Sequence, residues 1–333
     1  MNRGDAEGRD LPGARRPGGP SRRQALEGIA RELSAAGIES SRVEAERLLS
    51  LALGISRADL QLSLESELSA EDARTLAEAV RRRLAGEPLQ HIEGNVEFRD
   101  LVLAADRRAF VPRPETEQLL DRVIGWARER QRTVGSEAEA RPAGAEGVRV
   151  VTRPASRAYV EAALDIGTGS GAIALTLADE HVAARIVALD RSREALEQAT
   201  ENRRRVGQTE ASVEFRLVEG ALWKAVGEGE RFDLIVSNPP YVSTAEMERL
   251  SPEVRQDPPE ALVAGEDGLD VIREILAGAR DHLKPGGALF LEIGEGQGER
   301  VRELLAESGD WAGTAIQRDL AGKVRFAFAE CAS

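Results

Sequence analysis

From Ser21 onward, apolar residues return every three or four positions: Leu26, Ile29 and Leu33, then Leu48, Leu49 and Ala52. That spacing predicts helices that each carry one apolar stripe. Start signals precede them. Ser21-x-x-Gln24 and Ser41-x-x-Glu44 read as capping boxes, and Ser56-x-x-Asp59 and Ser69-x-x-Asp72 repeat the arrangement with a shorter acid. Gly37, Gly54 and Gly86 fall where these helices stop, and Pro88 forbids continuation. The expectation is a small helical bundle over 21–88. The run Arg81-Arg82-Arg83 reads as a solvated face of its last helix.

The pattern then changes to alternation in "VEFRDLVL", which predicts a β-hairpin within a linker over 89–114. Beyond it, over 115–333, short apolar runs alternate with helical stretches. "AALDIG", "RIVALD", "SVEFRLV", "RFDLIVSN" and "GALFLEIG" are strand-like, and "SREALEQATENRRR" and "GLDVIREILAGARDHL" are helical. Strands separated by helices require right-handed crossovers, so the fold class is α/β, a doubly wound, mostly parallel sheet. Two segments carry no such pattern. Residues 1–20 are Gly, Pro and Arg with little to bury, and 132–148 are Ala, Glu, Gly and Arg without period; both are expected to be mobile.

Composition narrows the classes. A formal net charge of -13 disfavours a protein that lives on nucleic-acid phosphate. The single cysteine, Cys331, excludes a disulfide framework or thiolate metal cage and suits a reducing cytoplasm. The three histidines, His91, His181 and His282, lack metal-ligand spacing, so no metal is expected. No apolar run approaches the roughly 20 residues that span a bilayer, so no membrane partner is expected. Without a sustained heptad, a monomer is the default.

Ligands of doubly wound sheets bind beyond the carboxyl ends of the strands. There the chain reads Asp165-Ile166-Gly167-Thr168-Gly169-Ser170-Gly171, with alternate glycines that let the backbone turn tightly against a ligand before a helix opens near Ala172. The next strand ends in Asp190, placed to accept hydrogen bonds from both ribose hydroxyls of an adenosine-type cofactor. Gly167-x-Gly169-x-x-Ala172 also satisfies the relaxed dinucleotide fingerprint, so a nicotinamide enzyme fits this much.

The tetrapeptide Asn238-Pro239-Pro240-Tyr241, at another strand end, breaks the tie. Two prolines lock φ and remove backbone donors, which leaves carbonyls unclaimed by the sheet. A planar nitrogen with two hydrogens can donate one to the Asn238 side-chain oxygen and one to the Pro239 carbonyl, with Tyr241 over its face. Such an amide is a poor nucleophile, and rigid placement against an electrophile makes its attack a unimolecular step. No strong base is needed, because the proton becomes acidic once the nitrogen is alkylated.

Together "DIGTGSG", "ALD" and "NPPY" resemble class I (Rossmann-like) S-adenosylmethionine methyltransferases that act on amino nitrogens. The stretches "FVPRPETE", "DPPEALVAGEDGLDVI", "LKPGGALFLEIGEGQ" and "RDLAGKVR" make the chain similar to the HemK/PrmC family. That family methylates the glutamine N5 in the GGQ motif of peptide chain release factors. The resemblance implies that S-adenosylmethionine is the cofactor. Gly167, Thr168, Gly169 and Gly171 would border it, Asp165 would help hold its amino group, Asp190 would take the ribose, and Asn238 would reach it too. It further implies that Asn238 and the Pro239 carbonyl grip the glutamine amide as the catalytic groups. Tyr241 would pack on that amide beside Pro240, and Phe110 would close the pocket. Arg113 and Glu115 to Glu117 would orient that loop. The helical bundle would recognise the release factor. In place of the family's Gly-Asp pair near the adenine this chain has Gly220-Ala221, so a neighbour such as Glu219, or the backbone, is expected to supply the contact.

Two other functions share these motifs. A methyltransferase of exocyclic amines in adenine or guanine would use the same corner after base flipping, but it predicts a basic face. A binding module that keeps the fold and only docks a partner would have no need of the intact tetrapeptide.

Overall fold

The computed structural model describes residues 19–139, 158–207 and 213–333. The chain divides into two compact units between Ile92 and Glu93. The expected tail over 1–20 lies outside the described residues except for Gly19 and Pro20, and the Pro20 carbonyl already accepts from the Leu68 N–H at 3.0 Å.

The first unit holds α1 (Arg22–Ala35), α2 (Ser41–Leu53), α3 (Arg57–Leu62), α4 (Ala70–Leu84) and all but the last residue of α5 (Leu89–Glu93). Leu26, Leu33, Leu48, Leu49, Leu60 and Leu76 pack its core. Ser21 closes the capping box with Gln24, and Ser56 and Ser69 cap α3 and α4. The Ser41 capping box does not form. Helix α2 is entered one residue earlier, from Ser40, whose hydroxyl donates to the Glu44 carboxylate at 2.9 Å. That carboxylate is engaged elsewhere as well. Arg83 donates to Glu44 from Nε at 2.5 Å and from Nη2 at 3.2 Å, and both residues are buried. The arginine run is therefore not a solvated face throughout. Arg81 stays exposed beside Glu78, Arg82 pairs with Glu87, and Arg83 turns inward.

The linker expected over 89–114 begins as helix α5. Its "VEFRDLVL" stretch forms the antiparallel hairpin β1 (Asn95–Phe98) and β2 (Leu101–Ala104), which is part of the second unit. Ala104 is held there twice: its N–H donates to Asn202 Oδ1 at 2.6 Å, and its carbonyl accepts from Gln198 Nε2 at 2.6 Å. Helix α6 (Pro114–Glu139) then runs through the first part of the expected insert, so 132–139 are helical. The remainder of that segment lies outside the described residues.

Seven strands build the main sheet: β3 (Val160–Ile166), β4 (Ala183–Asp190), β5 (Glu214–Glu219), β6 (Phe232–Ser237), β7 (Leu283–Glu292), β8 (Gly313–Arg318) and β9 (Val324–Glu330). Their order is β5-β4-β3-β6-β7-β9-β8. The first five are parallel; β9 runs antiparallel to β7, and β8 antiparallel to β9. Helices α7 (Ala172–Asp179), α8 (Arg193–Val206), α9 (Thr244–Met247), α10 (Asp270–His282) and α11 (Gly298–Glu307) complete the unit. Alternate strand residues face opposite cores. Ala163, Leu234 and Phe290 pack with α6 and α7, whereas Leu164, Ile235 and Leu289 pack with α10 and α11. Helices on both faces define a doubly wound sheet. The strand order reverses at β3, which lies between β4 and β6, and such switch points open a crevice at the carboxyl ends.

Candidate active site

A cavity of about 630 Å³ opens at that reversal, lined by residues from the ends of β3, β4, β6 and β7 and from the segment that leads into α6. The loop after β3 forms one wall. Gly167 and Gly169 have φ of 70° and 54°, and a Cβ at either would meet open space. These glycines are required for the left-handed turn, not for packing clearance. The Gly167 and Thr168 N–H groups both donate to the Leu189 carbonyl at 2.9 Å, which ties the loop to β4.

Asp190 accepts from the Gly169 N–H at 2.9 Å through Oδ2 and from the Ser192 N–H at 2.8 Å through Oδ1. With the Arg191 N–H also bearing on it, the carboxylate still has accepting capacity to spare, and the residue lines the cavity. Burial raises its pKa despite these donors.

Two residues expected to border the cofactor stand elsewhere. Asp165 is fully buried and does not line the cavity: Oδ2 accepts from the Thr168 hydroxyl at 2.6 Å and the Ala174 N–H at 3.1 Å, so the carboxylate braces the loop from beneath. Its Oδ1 has no partner among the described residues, and burial pushes its pKa up to about 7. Gly171 is also behind the wall, where a Cβ would stand 3.2 Å from Leu175 and 3.3 Å from Ala199. It permits α7 to approach α8.

The opposite wall is the corner after β6. The Ser237 hydroxyl donates to the Ile166 carbonyl at 2.7 Å and pins the ends of β6 and β3 together. Asn238, Pro239, Pro240 and Tyr241 all line the cavity. Asn238 Nδ2 donates to Thr116 Oγ1 at 3.0 Å, and Thr116 donates to Glu292 Oε2 at 2.7 Å. Among the described residues no donor is bonded to the Pro239 carbonyl. The Tyr241 carbonyl accepts from Gln297 Nε2 at 2.9 Å, and its hydroxyl lies 3.5 Å from Glu292 Oε1. Burial, with Glu292 close by, raises the tyrosine pKa, so the phenol stays protonated. Burial likewise holds the Glu292 carboxyl up at about 7.

Phe110 faces the cavity with the Arg113 guanidinium 4.8 Å over its ring. Arg113 also donates to the buried Asp257 at 2.8 Å, which fastens the "FVPRP" segment to the "RQDPPEAL" loop. Burial raises Asp257 to about 6. Thr116, Glu292 and Asp257 were not foreseen as site residues. Only Glu292 left a trace in sequence, as a lone acid in an otherwise apolar strand.

Near the Gly220-Ala221 departure, Gly220, Ala221 and Leu222 line the cavity, whereas the exposed Glu219 does not. The histidines lie outside the cavity. His91 is buried, His181 is exposed, and His282 stacks on Trp223 at 4.8 Å. Lys284 also lies outside the cavity and pairs with Glu161 and Asp233. Among the described residues, no group of three or more His, Cys, Asp or Glu could hold a metal ion, and no helix is long and apolar enough to cross a membrane.

The chain is similar to known proteins over most of its length. Residues 24–94 match the PrmC N-terminal domain, and residues 148–265 match the methyltransferase small domain. A release factor glutamine methyltransferase of Koribacter versatilis is 36% identical over 301 residues, covering 90% of this chain and 95% of that protein. Its counterpart in Deinococcus radiodurans is 38% identical over 294 residues, covering 88% and 92%. That of Moorella thermoacetica is 37% identical over 303 residues, covering 91% and 96%. With a methyltransferase sheet, an Asn-Pro-Pro-Tyr corner on its cavity and this likeness along nine-tenths of its length, the chain belongs to the release factor glutamine methyltransferase family.

Proposed function

We propose that this protein transfers a methyl group from S-adenosylmethionine to the side-chain amide N5 of the glutamine in the GGQ motif of peptide chain release factors. The observation that carries the reading is the convergence of the glycine loop, Asp190 and the Asn238 to Tyr241 corner on one cavity.

The residues present fit the cofactor. Gly167 and Gly169 offer a bare backbone wall with Thr168 between them, and Asp190 keeps accepting capacity for the ribose hydroxyls. Backbone at Gly220 to Leu222 takes the place of the family's acid near the adenine. When bound, the sulfonium supplies an electrophilic methyl group. The chain's own residues do the rest. Asn238 Oδ1 and the Pro239 carbonyl accept the two amide hydrogens, which fixes the nitrogen in a plane, while Tyr241 and Phe110 cover its faces and exclude water. Holding a weak nucleophile in line with its target supplies most of the acceleration such a site needs. The alkylated nitrogen then loses a proton to solvent. Asp165 acts in this scheme by bracing the loop and not by touching the cofactor. The helical unit serves release-factor recognition, and such a substrate places the protein in the cytoplasm.

The test is Asn238→Ala. Transfer to a purified release factor should fall by about a thousandfold or more, as when a group that acts mainly in the transition state is removed, while cofactor affinity measured by calorimetry stays near wild type. Turnover at the wild-type rate in this variant would rule out the grip on the amide.

A further inference from the structure

This inference rests on the reading of Asn238 as the group that holds the substrate amide. An asparagine amide is nearly symmetric in shape, but only its oxygen end can accept from a substrate N–H. Turned by half a rotation, it would present two donors to a nitrogen that is itself a donor. Nothing within Asn238 decides between the two orientations. Its neighbours do.

Thr116, in the first turn of α6 and buried, has one hydroxyl proton. That proton is directed at Glu292 Oε2, 2.7 Å away at the end of β7. With its donor used, the hydroxyl oxygen can only accept, and what it accepts is Asn238 Nδ2–H at 3.0 Å. An ionised carboxylate has no proton to give back, so the direction of the whole chain is set from its far end. We propose that Thr116 and Glu292 are positioning residues that lock the Asn238 amide with its oxygen toward the substrate nitrogen. Neither does chemistry.

The lock depends on the charge of Glu292. Protonated, it would donate to Thr116, and Thr116 would then be free to donate to Asn238 Oδ1 and hold the amide reversed. Burial opposes the charge on that carboxyl most, and four groups bear on it besides: the Thr116 hydroxyl, Arg325 of β9 and the Tyr241 hydroxyl favour its charged form, whereas Glu115 of α6 opposes it. Transfer should therefore fall as pH drops through about 7.

The experiment compares wild type with T116V, T116S and E292Q in the full-length chain. It reads single-turnover methylation of a purified release factor, cofactor affinity, and solvent exchange of the Asn238 side-chain amide protons, assigned by their loss in N238A. T116V removes the hydroxyl at nearly constant volume and should slow transfer roughly tenfold to a hundredfold, with cofactor affinity unchanged. T116S should restore most of the rate, which a packing role for the threonine methyl would not. E292Q should be slow and lose the acid limb of the pH profile. The Asn238 amide protons should exchange faster in T116V than in wild type or T116S. Equal exchange in T116V and wild type, a fast T116V, or a T116S as slow as T116V would overturn the lock. Should the wild type transfer nothing to the release factor, the exchange comparison still decides the lock, and only the substrate reading falls.

Discussion

Replacing Asp165 by asparagine should change how the second unit responds to pH. The carboxyl is fully buried, with two donors on Oδ2 and none on Oδ1 among the described residues, and burial lifts its pKa from 3.8 to about 7. A carboxyl whose folded value lies above its unfolded one binds more protons when folded throughout that window. Its contribution to stability is therefore full below the unfolded value and is lost as pH rises through the folded one. At about 1.4 kcal/mol per pKa unit, the part of the window above pH 5 amounts to a few kcal/mol, on the order of 3. Asparagine is uncharged at every pH and keeps one oxygen for Thr168 and Ala174, but its NH₂ takes the unpartnered position at a cost of about 1–3 kcal/mol. The two stability curves should cross: D165N less stable than wild type at pH 5, and equal or more stable at pH 8. Urea unfolding followed by tryptophan fluorescence reads this unit alone, because Trp126, Trp223 and Trp311 all lie in it. Taking the difference between proteins cancels the other titrating groups. A stability difference constant from pH 5 to 8 would refute the argument that Asp165 is held at the cost of its charge.

Other substitutions probe the remaining parts. R83M strands a buried Glu44 carboxylate, which costs about 3–5 kcal/mol when one partner of such a pair is removed; hydrogen exchange of α2 and α4 in the full chain should accelerate, and unchanged exchange would show that the pair is dispensable. At Gly268, φ is 75° and an added Cβ would stand 2.3 Å from the Tyr241 carbonyl and 2.8 Å from Gln297 Nε2. G268A should therefore displace the corner and lower transfer by about a hundredfold, the usual effect of a misplacement near 1 Å, while cofactor affinity persists. A wild-type rate would mean that the Gln297 clamp does not position Tyr241.

Where local spacing carried the signal, the sequence was readable. The stripe Leu26, Ile29 and Leu33 placed α1, and the alternate glycines and the Asn-Pro-Pro-Tyr corner fell at strand ends that do meet on one cavity. What escaped depends on pairs distant in the chain. Arg83 reads like Arg81 in a run of three, and only Glu44, 39 residues earlier, draws it inward. Thr116 looks like part of an acidic helix start until Glu292, 176 residues on, claims its proton. The spacing of Asp165 marked a strand-end acid but could not say which side of the loop its carboxylate faces. The Ser41-x-x-Glu44 spacing set the entry to α2 one residue late, because Glu44 bonds the Ser40 hydroxyl and Arg83 instead of closing a box with Ser41. The antiparallel pair β8 and β9 stands outside the strand–helix alternation that marks the parallel strands, so that pattern does not reveal it.

The measurement that bears most directly on the account is transfer of label from S-adenosylmethionine, with a purified release factor, its GGQ glutamine-to-alanine variant, and bulk DNA and RNA offered in parallel. Label on the intact release factor alone is the predicted result; label that persists on the glutamine variant, or that appears on nucleic acid instead, would contradict it.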